Sequence, residues 1–353
     1  MSRIDGVALR AMAAAVPRTA VHTRDYEYMT VEERARFEKA TGIGTRRISP
    51  VDQCASDLCV AAVERIFEHL GWPRDSVGAL VLVTQSPDYP LPATAIVLQD
   101  KLGLPQSCVA FDVNLGCSSF PYGVAIVSSL MKTLSVKRAL LLIGDISSRG
   151  CSVHDKATWP LFGDAGTATA LELDEGTAPI HIDLMSDGSG KDAIIVPYGG
   201  KTSRVPVGDH PAEEVTGADG IPRRRDSVVL RGADVFSFAI SKVPPSIHRT
   251  LEESGLGASD VDILALHQAN KMINDVIAKK TGFPPEKAIS TLANYGNTSS
   301  ASIPLTICAH ADRFDQPRTM AACGFGVGLS WGTCVMPVPA GAVLPVVETD
   351  AIY

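Results

Sequence analysis

Short apolar runs alternate with amphipathic segments along most of the chain. Residues 79–84 and 263–268 are strand-length apolar runs bounded by polar turns, and residues 138–144 and 318–324 follow the same pattern. Segments with helical spacing of apolar residues lie between these runs. Such an alternation predicts mainly parallel sheets covered by helices, which is an α/β fold.

The pattern in the first half of the chain returns in the second. Residues 64–71 and 248–255 each predict a helix that ends at a glycine, and each precedes one of the strands. Residues 116–119 (Gly-Cys-Ser-Ser) then lie opposite residues 296–299 (Gly-Asn-Thr-Ser), and each opens a helix of small residues. We interpret this order as a duplication in which two similar halves pack around a pseudo-twofold axis. Equivalent loops should then converge where the halves meet.

The duplication predicts a first half over residues 1–175, a connecting segment over 176–226 and a second half over 227–353. Residues 199–225 are rich in Gly, Pro and charge, which predicts a long surface excursion. The Arg-Arg-Arg run at 223–225 predicts a solvated loop, with docking of an acidic partner as the alternative. Adjacent prolines at 244 and 245 interrupt a helical pattern, so a new helix is expected to begin there.

The composition is that of an ordinary soluble globular protein of 353 residues, with 45% apolar and 20% charged residues. A formal net charge of -7 argues against nucleic acid as the main partner. The apolar runs fall far short of the roughly 20 residues of a membrane span. Since no export signal is evident, we expect a cytoplasmic protein whose eight cysteines are mostly free thiols. Cys54 and Cys59 have no matching second pair, so no zinc site is expected.

One cysteine stands apart. Cys117 lies where a strand ending near Val113 gives way to a helix predicted over residues 118–134. The unsatisfied amides and positive end of that helix favour the thiolate form of a nearby thiol. The alternative is a buried core cysteine, the usual role of a free thiol. Because a polar Gly-Cys-Ser-Ser turn is a poor place for core packing, we interpret Cys117 as a nucleophile.

Two polar residues follow on loops that the duplication brings toward Cys117. His267 follows an apolar strand, at the sheet edge where α/β proteins place their sites, although a structural histidine is the alternative. Asn297 lies in Tyr-Gly-Asn-Thr-Ser and by itself could be only a helix cap.

A glycine-rich loop, Gly-Phe-Gly-Val-Gly, occupies residues 324–328. A dinucleotide-binding turn would have to open a helix, whereas residues 330–335 predict a strand. A hairpin of glycines can instead bring backbone amides close to a reaction centre, as an oxyanion hole requires.

Four motifs, in this order, resemble the signature set of the thiolase superfamily, and within it β-ketoacyl-acyl-carrier-protein synthase III and its relatives. They are Asn-Leu-Gly-Cys117-Ser-Ser, Leu-His267-Gln-Ala-Asn270, Tyr-Gly-Asn297-Thr-Ser and Gly-Phe-Gly-Val-Gly-Leu-Ser-Trp-Gly332. The resemblance covers nearly the whole chain from residues 41–43 onward. It implies a thiolase-like duplicated fold, in which two α/β halves form a five-layer αβαβα sandwich.

The resemblance also implies the reaction, a decarboxylating condensation of a Cys-bound acyl group with a malonyl thioester that needs no metal and no cofactor. Cys117 would be the nucleophile, and neutral His267 and Asn297 would hold the enolate oxygen as hydrogen-bond donors. An ionised carboxylate in place of Asn297 would repel that oxygen. The backbone amides of Cys117 and Val327 would form the oxyanion hole for acyl transfer.

Further residues and partners follow from the same resemblance. The implied residues are Asn270, Gly326 and Gly328 in support of the reacting groups, Leu91 and Phe325 in the substrate tunnel, and Lys271, Lys279 and Lys280 in docking an acidic acyl carrier protein. A solvated helix face is the alternative for the lysines. A homodimer is also implied, in which residues 88–92 of one subunit partly close the tunnel of the other.

Features of the bacterial fatty-acid enzymes are missing, however. Arg36 and Ala40 stand where those enzymes have the Trp and Arg that sandwich the adenine of coenzyme A, and Lys156 replaces another Arg that contacts coenzyme A. These departures argue against acetyl-coenzyme A as primer. The acyl chain, its carrier and the pathway stay open.

Other functions are weighed against the condensation. Acyl transfer to a hydroxyl or amine without decarboxylation is disfavoured by Asn297. A Cys–His hydrolase is disfavoured because Cys117 lacks the glycine two residues later that a nucleophile elbow requires. A non-catalytic carrier or chaperone subunit would have no use for all three reactive positions.

Overall fold

The computed structural model describes residues 2–200, 213–217 and 220–353. The strands are β1 (Ser2–Ile4), β2 (Val7–Val16), β3 (Ala20–His22), β4 (Thr45–Arg47), β5 (Ala79–Val83), β6 (Val109–Val113), β7 (Arg138–Ile146), β8 (Asp164–Leu173), β9 (Ile180–Ser186), β10 (Ile194–Ile195), β11 (Glu214–Thr216), β12 (Pro222–Arg224), β13 (Val229–Leu230), β14 (Ile263–Leu266), β15 (Ala288–Ile289), β16 (Arg318–Gly326), β17 (Ser330–Val338) and β18 (Val347–Glu348). The helices are α1 (Val31–Thr41), α2 (Ala55–Leu70), α3 (Thr94–Lys101), α4 (Ser119–Leu134), α5 (Gly232–Ser254), α6 (Lys271–Lys280), α7 (Leu292–Tyr295) and α8 (Ser302–Ala309).

Two six-stranded sheets share one topology. The first has the order β18–β2–β8–β7–β5–β6 and the second the order β1–β9–β17–β16–β14–β15. Five strands of the first sheet match five strands of the second in both sheet position and chain order: β2 with β9, β5 with β14, β6 with β15, β7 with β16 and β8 with β17. In the first sheet β5, β6 and β7 are parallel and β8 is antiparallel to β7. In the second sheet β14, β15 and β16 are parallel and β17 is antiparallel to β16. The repeated topology agrees with the duplication that the sequence predicts.

The layers alternate between helices and sheets. Helices α2 and α3 cover the outer face of the first sheet, while α5, with α6 beside it, covers the outer face of the second. Helices α4 and α8 contact strands of both sheets and form the central layer. Their apolar side chains, such as Phe120, Val127, Ile303 and Ile307, are buried in the largest core cluster, where each contributes about 1.5–3 kcal/mol. Because α4 and α8 lie between the sheets, the loops that precede them meet at the centre of the molecule.

One end strand of each sheet comes from the other half of the chain. β1 pairs with β9 in the second sheet, and β18 pairs with β2 in the first. β9 itself belongs to the second sheet, although it falls within residues 176–226, the segment that the sequence predicts to connect the halves. No single point along the chain therefore separates the strands of one sheet from those of the other.

Part of the predicted excursion packs against the body of the protein. β11 and β12 form a short hairpin, whereas residues 201–212 and 218–219 lie outside the described residues. The prediction of a solvated loop at residues 223–225 is wrong, because residues 222–224 form a strand and each guanidinium pairs with a carboxylate. These ion pairs are Arg223–Asp155, Arg224–Asp226 and Arg225–Glu213.

The prediction of a new helix at the two prolines is also wrong, since α5 continues through both Pro244 and Pro245. A proline inside a helix leaves the carbonyl four residues earlier without its N–H donor. Lys280 Nζ donates to that carbonyl, on Ile240, at 2.9 Å. Although α5 has 23 residues, neither it nor another helix of the described residues is both long and apolar enough to cross a membrane.

Candidate active site

Cys117 lies in the turn between β6 and α4, where the halves meet. The second half approaches this residue so closely that only glycine fits opposite it. A Cβ atom on Gly326 would lie 2.6 Å from Cys117 Sγ, and one on Gly324 would lie 2.6 Å from the Cys117 carbonyl oxygen. The glycines of β16 are therefore required for the close packing of the glycine loop on the thiol.

The expectation that the setting of Cys117 favours the thiolate is not borne out, because the pKa of the thiol is raised above its ordinary value. Burial, and to a smaller extent the charge of Asp145, raise the pKa of the Cys117 thiol to about 11. Hydrogen bonds from the backbone N–H groups of Val327 and Cys117 to the sulfur lower the pKa. These two hydrogen bonds oppose a larger desolvation cost, and the resting thiol is protonated at neutral pH.

His267 follows β14 and is 2% exposed. Its backbone N–H donates to the Cys323 carbonyl at 2.9 Å, and its Nδ1 lies 2.6 Å from Ser302 Oγ. Burial lowers the pKa of the imidazole to about 3, so the ring is neutral at physiological pH. Phe325 contacts the ring edge-on, with centroids 5.6 Å apart. In the tautomer in which Nδ1 accepts from the Ser302 hydroxyl, Nε2 carries the proton and is a donor.

Asn297 is held by its backbone and by its own side-chain oxygen. Its N–H donates to the Leu161 carbonyl and its carbonyl accepts from Gly163 N, both at 3.0 Å. Oδ1 accepts from the Ser299 N–H at 2.9 Å. Because this contact fixes Oδ1 toward the backbone, the Nδ2 amino group is left to donate elsewhere.

One cavity of about 500 Å³ brings the three predicted residues together. Cys117, His267 and Asn297 all line it, and Val327 lies beside them at the glycine loop. The volume falls in the range of small-molecule sites. A thiol, a neutral imidazole and a primary amide therefore share one partly apolar chamber.

Of the residues expected in supporting positions, Asn270 and Gly326 line this cavity, as does Phe325, which is expected in the substrate tunnel. Asn270 lines the cavity, and its side chain caps α6 by accepting from Ile273 N at 2.9 Å. Phe325 lines the cavity and is 1% exposed. Gly328 has a φ of +136°, which residues with a side chain rarely adopt.

The residues expected to meet other molecules lie outside this cavity. Leu91 is 82% exposed and does not line the cavity of its own chain. Lys271, Lys279 and Lys280 are exposed on α6. Lys271 forms an ion pair with Asp275, whereas Lys280 donates to the Ile240 carbonyl.

Sequence reasoning missed Ser302 and most of the cavity wall. Ser302 begins α8, five residues after Asn297 in the same run of small polar residues. Its position at the start of a central helix, close to Asn297 in the sequence, is the signal that could have marked its hydroxyl as a partner of His267. Other lining residues, such as Ile146 and Val228, come from segments that are distant in the sequence, and no local pattern marks them.

Known proteins resemble this chain in sequence and in structure. The family model of 3-oxoacyl-acyl-carrier-protein synthase III matches residues 111–188, and the model of its C-terminal part matches residues 251–338. β-Ketoacyl-acyl-carrier-protein synthase III of Desulfitobacterium hafniense is 32% identical over 91% of this chain and 94% of its own length. The enzyme of that name from Nostoc is 32% identical over 94% and 97%. A crystal structure of a 3-oxoacyl-acyl-carrier-protein synthase from Burkholderia xenovorans superposes with a TM-score of 0.92 and 36% identity, covering 99% and 98% of the two chains.

The duplicated sheets and the shared cavity define a thiolase-like enzyme. The chain belongs to the β-ketoacyl-acyl-carrier-protein synthase III family. The predicted family and the predicted thiolase-like fold are both confirmed.

Proposed function

We propose that this protein is an acyltransferase in which a Cys117-bound acyl group condenses with a malonyl thioester and carbon dioxide is lost. The observation that carries the proposal is the neutral donor pair, His267 and Asn297, in the cavity that holds the Cys117 thiol. Neutral donors stabilise a developing enolate, whereas a carboxylate would repel it.

The first half-reaction loads the enzyme. Cys117 Sγ attacks the carbonyl of an acyl thioester, and the proton of the thiol leaves with the departing thiol. Because burial keeps the resting thiol protonated, its proton passes to the sulfur of the departing thiol as the acyl group is transferred. The pKa of His267, lowered to about 3, makes the ring a poor proton acceptor and leaves it as a hydrogen-bond donor for the second half-reaction.

The second half-reaction forms the carbon–carbon bond. The malonyl thioester loses carbon dioxide, and His267 Nε2–H and Asn297 Nδ2–H hold the enolate oxygen. The enolate carbon attacks the acyl carbonyl, whose oxygen is held by the N–H groups of Cys117 and Val327. Release of the β-ketoacyl thioester restores the Cys117 thiolate, which takes up a proton.

The acyl group that loads Cys117 is proposed to arrive on an acyl carrier protein. Lys156 forms an ion pair with Glu33 at 2.9 Å, so its charge is partly neutralised within the protein. Arg36 and Ala40 are exposed on α1 and offer no aromatic surface for adenine. These contacts favour recognition of the carrier over recognition of the coenzyme A nucleotide.

A homodimer is proposed in which residues 88–92 of one subunit partly close the cavity of the other. Tyr89 and Leu91 are 56% and 82% exposed in the single chain, which favours burial of this segment against a partner. Small-angle scattering should report a dimer. A fully active monomer would count decisively against this arrangement.

The reaction itself is tested by product analysis. The protein is incubated with malonyl-carrier protein and a panel of acyl thioesters, and carbon dioxide and the β-ketoacyl product are measured by mass spectrometry. Equal amounts of carbon dioxide and β-ketoacyl product are expected. Free acid or an ester without carbon dioxide would indicate hydrolysis or simple acyl transfer instead.

A further inference from the structure

A buried carboxylate joins the two halves of the protein close to the reacting groups. Asp145 lies near the end of β7 in the first sheet, is fully buried and does not line the cavity. Among the described residues, its three donors are the Thr84 hydroxyl, the Gln85 N–H and the Ser300 N–H. Thr84 and Gln85 belong to the first half, whereas Ser300 belongs to the second. Asp145 therefore connects segments that are distant in the sequence.

The contacts in the first half lead to the turn that carries Cys117. Thr84 Oγ1 donates to Asp145 Oδ1 at 3.1 Å, and Gln85 N donates to the same oxygen at 2.7 Å. The Gln85 side chain in turn donates to Asn114 Oδ1 at 3.1 Å. Asn114 lies three residues before Cys117. One oxygen of the carboxylate is thus bound to the segment beside the thiol.

The contact in the second half holds the segment that follows Asn297. Asp145 Oδ2 accepts from Ser300 N at 3.2 Å, while Ser299 N donates to Asn297 Oδ1 at 2.9 Å. Ser299 has a φ of +50°, a left-handed conformation that a residue with a side chain rarely adopts. Such a conformation persists only where the surrounding contacts maintain it. The two hydrogen bonds therefore hold this turn from both sides.

The need for two acceptor oxygens explains why a charged residue is buried here. The partners of Asp145 among the described residues are three neutral donors, without a cation. Burial of a carboxylate without an ion-pair partner is unfavourable, and an apolar residue of similar size would avoid that cost. A carboxylate, however, accepts at both oxygens and donates at neither, so it can serve donors of both halves at once. An amide of the same size has only one acceptor oxygen.

We propose that Asp145 is a positioning residue for the condensation, which holds the Ser299 turn, and through it the Asn297 amide, in the geometry that stabilises the enolate. This inference rests on the proposed function, because the position of the amide matters only if an enolate forms. Asp145 does not reach the cavity, so it acts on decarboxylation through Asn297 and leaves the loading of Cys117 largely unchanged.

The variant Asp145→Asn separates the two sets of contacts, because it keeps the size of the side chain but only one acceptor. Oδ1 accepts two hydrogen bonds, including the shortest, so the amide oxygen should stay there and the amino group should face the Ser300 N–H. Two donors then oppose each other, and the turn after Asn297 should shift. Because a small misplacement of a reacting group is costly, malonyl decarboxylation should fall about tenfold, whereas acylation of Cys117 should fall by no more than about twofold.

The two half-reactions are measured separately on the intact protein. Carbon dioxide release is followed with malonyl-pantetheine and adduct formation with octanoyl-pantetheine, and both rates are expressed per Cys117 that can be acylated, so that unfolded protein affects neither value. The control is Asp183→Asn, which removes another buried carboxylate whose partners, Ser246 and Arg249, both lie on α5. The control should lower thermal stability and keep the wild-type ratio of the two rates.

A double-variant cycle shows whether Asp145 acts through Asn297. In an Asn297→Ala background, Asp145→Asn should lower decarboxylation by no more than about a further twofold, because the group that it positions is already gone. Losses that multiply in full would mean that the two residues act independently, and they would overturn the inference.

The remaining outcomes separate this inference from the proposed function. If Asp145→Asn keeps the decarboxylation rate, or lowers both half-reactions equally, the inference is overturned and the function stands. If Asp145→Asn does not fold, Asp145→Ser, which also offers a single acceptor, takes its place. Failure of both variants to fold would assign Asp145 to folding alone and would likewise overturn the inference. If the unaltered protein neither acylates Cys117 nor releases carbon dioxide, the proposed function fails, and the inference fails with it.

Discussion

The two halves use the same position of the duplicated fold in different ways. In the first half, the turn after β6 opens the 16-residue helix α4 and presents a thiol, Cys117. In the second half, the turn after β15 passes through the short helix α7 before the eight-residue helix α8, and it presents an amide, Asn297. The long helix places its N-terminus at the thiol proposed as nucleophile, while the second half supplies the neutral donors proposed to hold the enolate. On that proposal, duplication provides the geometry, and divergence separates covalent chemistry from electrostatic stabilisation.

Loss of Cys117 should have the largest effect on this division of roles. Cys117→Ala should abolish the covalent acyl adduct, because no other described cysteine follows a strand and precedes a long central helix. Peptide mapping after incubation with a labelled acyl thioester locates the adduct. Cys151→Ala serves as the control and should keep it. Label on Cys151 or Cys323 would refute the assignment.

The reactivity of the Cys117 thiol and the rate of malonyl decarboxylation should depend on pH in different ways. A thiol with a pKa raised to about 11 is protonated below that pH, so its thiolate fraction rises about tenfold per pH unit and roughly thousandfold between pH 7 and 10. Alkylation of Cys117 by iodoacetamide should follow this rise. His267, with a pKa lowered to about 3, is neutral throughout, so malonyl decarboxylation should show no inflection near pH 6.5. An inflection there would mean that His267 titrates in its ordinary range.

Removal of the donors in the second half should affect one half-reaction more than the other. His267→Ala and Asn297→Ala should slow malonyl decarboxylation by about 10²–10³, the usual cost of one lost oxyanion donor. Self-acylation of Cys117 should fall less, because the hydrogen bonds of the backbone to the sulfur remain. Release of carbon dioxide and the rate of adduct formation are measured separately. Equal losses would mean that His267 or Asn297 is required as the base for Cys117.

The sequence predicts features that a short local motif marks, and it does not predict features that depend on packing between distant segments. Four motifs locate Cys117, His267 and Asn297, and strand lengths locate most of both sheets. The continuity of α5 is not predictable locally, because the donor that replaces the missing proline N–H comes from Lys280 on another helix. The raised pKa of Cys117 likewise depends on burial by β16, which lies in the other half.

Acylation of Cys117 by acetyl-coenzyme A should be slow, because the first half lacks the residue pair that would hold the adenine ring. Stacking and cation–π contacts to adenine contribute about 0.5–1.5 and 0.5–2 kcal/mol respectively, and Arg36 and Ala40 retain at most one of them. A loss of roughly 1–3 kcal/mol corresponds to about tenfold to hundredfold weaker binding. Acylation of Cys117 by acetyl-, butyryl- and octanoyl-coenzyme A is compared with acylation by their carrier-protein equivalents. Fastest acylation by micromolar acetyl-coenzyme A would contradict this expectation.

The smallest effect is expected on the surface of the second half, where Lys279 and Lys280 differ. Lys280 supports α5 through the Ile240 carbonyl, so Lys280→Glu should lower thermal stability in addition to any effect on docking. Lys279 is exposed on the same helix, so Lys279→Glu should act only on association with an acidic carrier. A single surface charge contributes up to about 1 kcal/mol, so the Michaelis constant for malonyl-carrier protein should rise about threefold to fivefold at low salt. That rise should fade as salt screens the charges. A malonyl-pantetheine substrate, which presents no acidic surface, provides the control and should show no change. If both substrates suffer equally, Lys279 has a structural role and the carrier protein docks elsewhere.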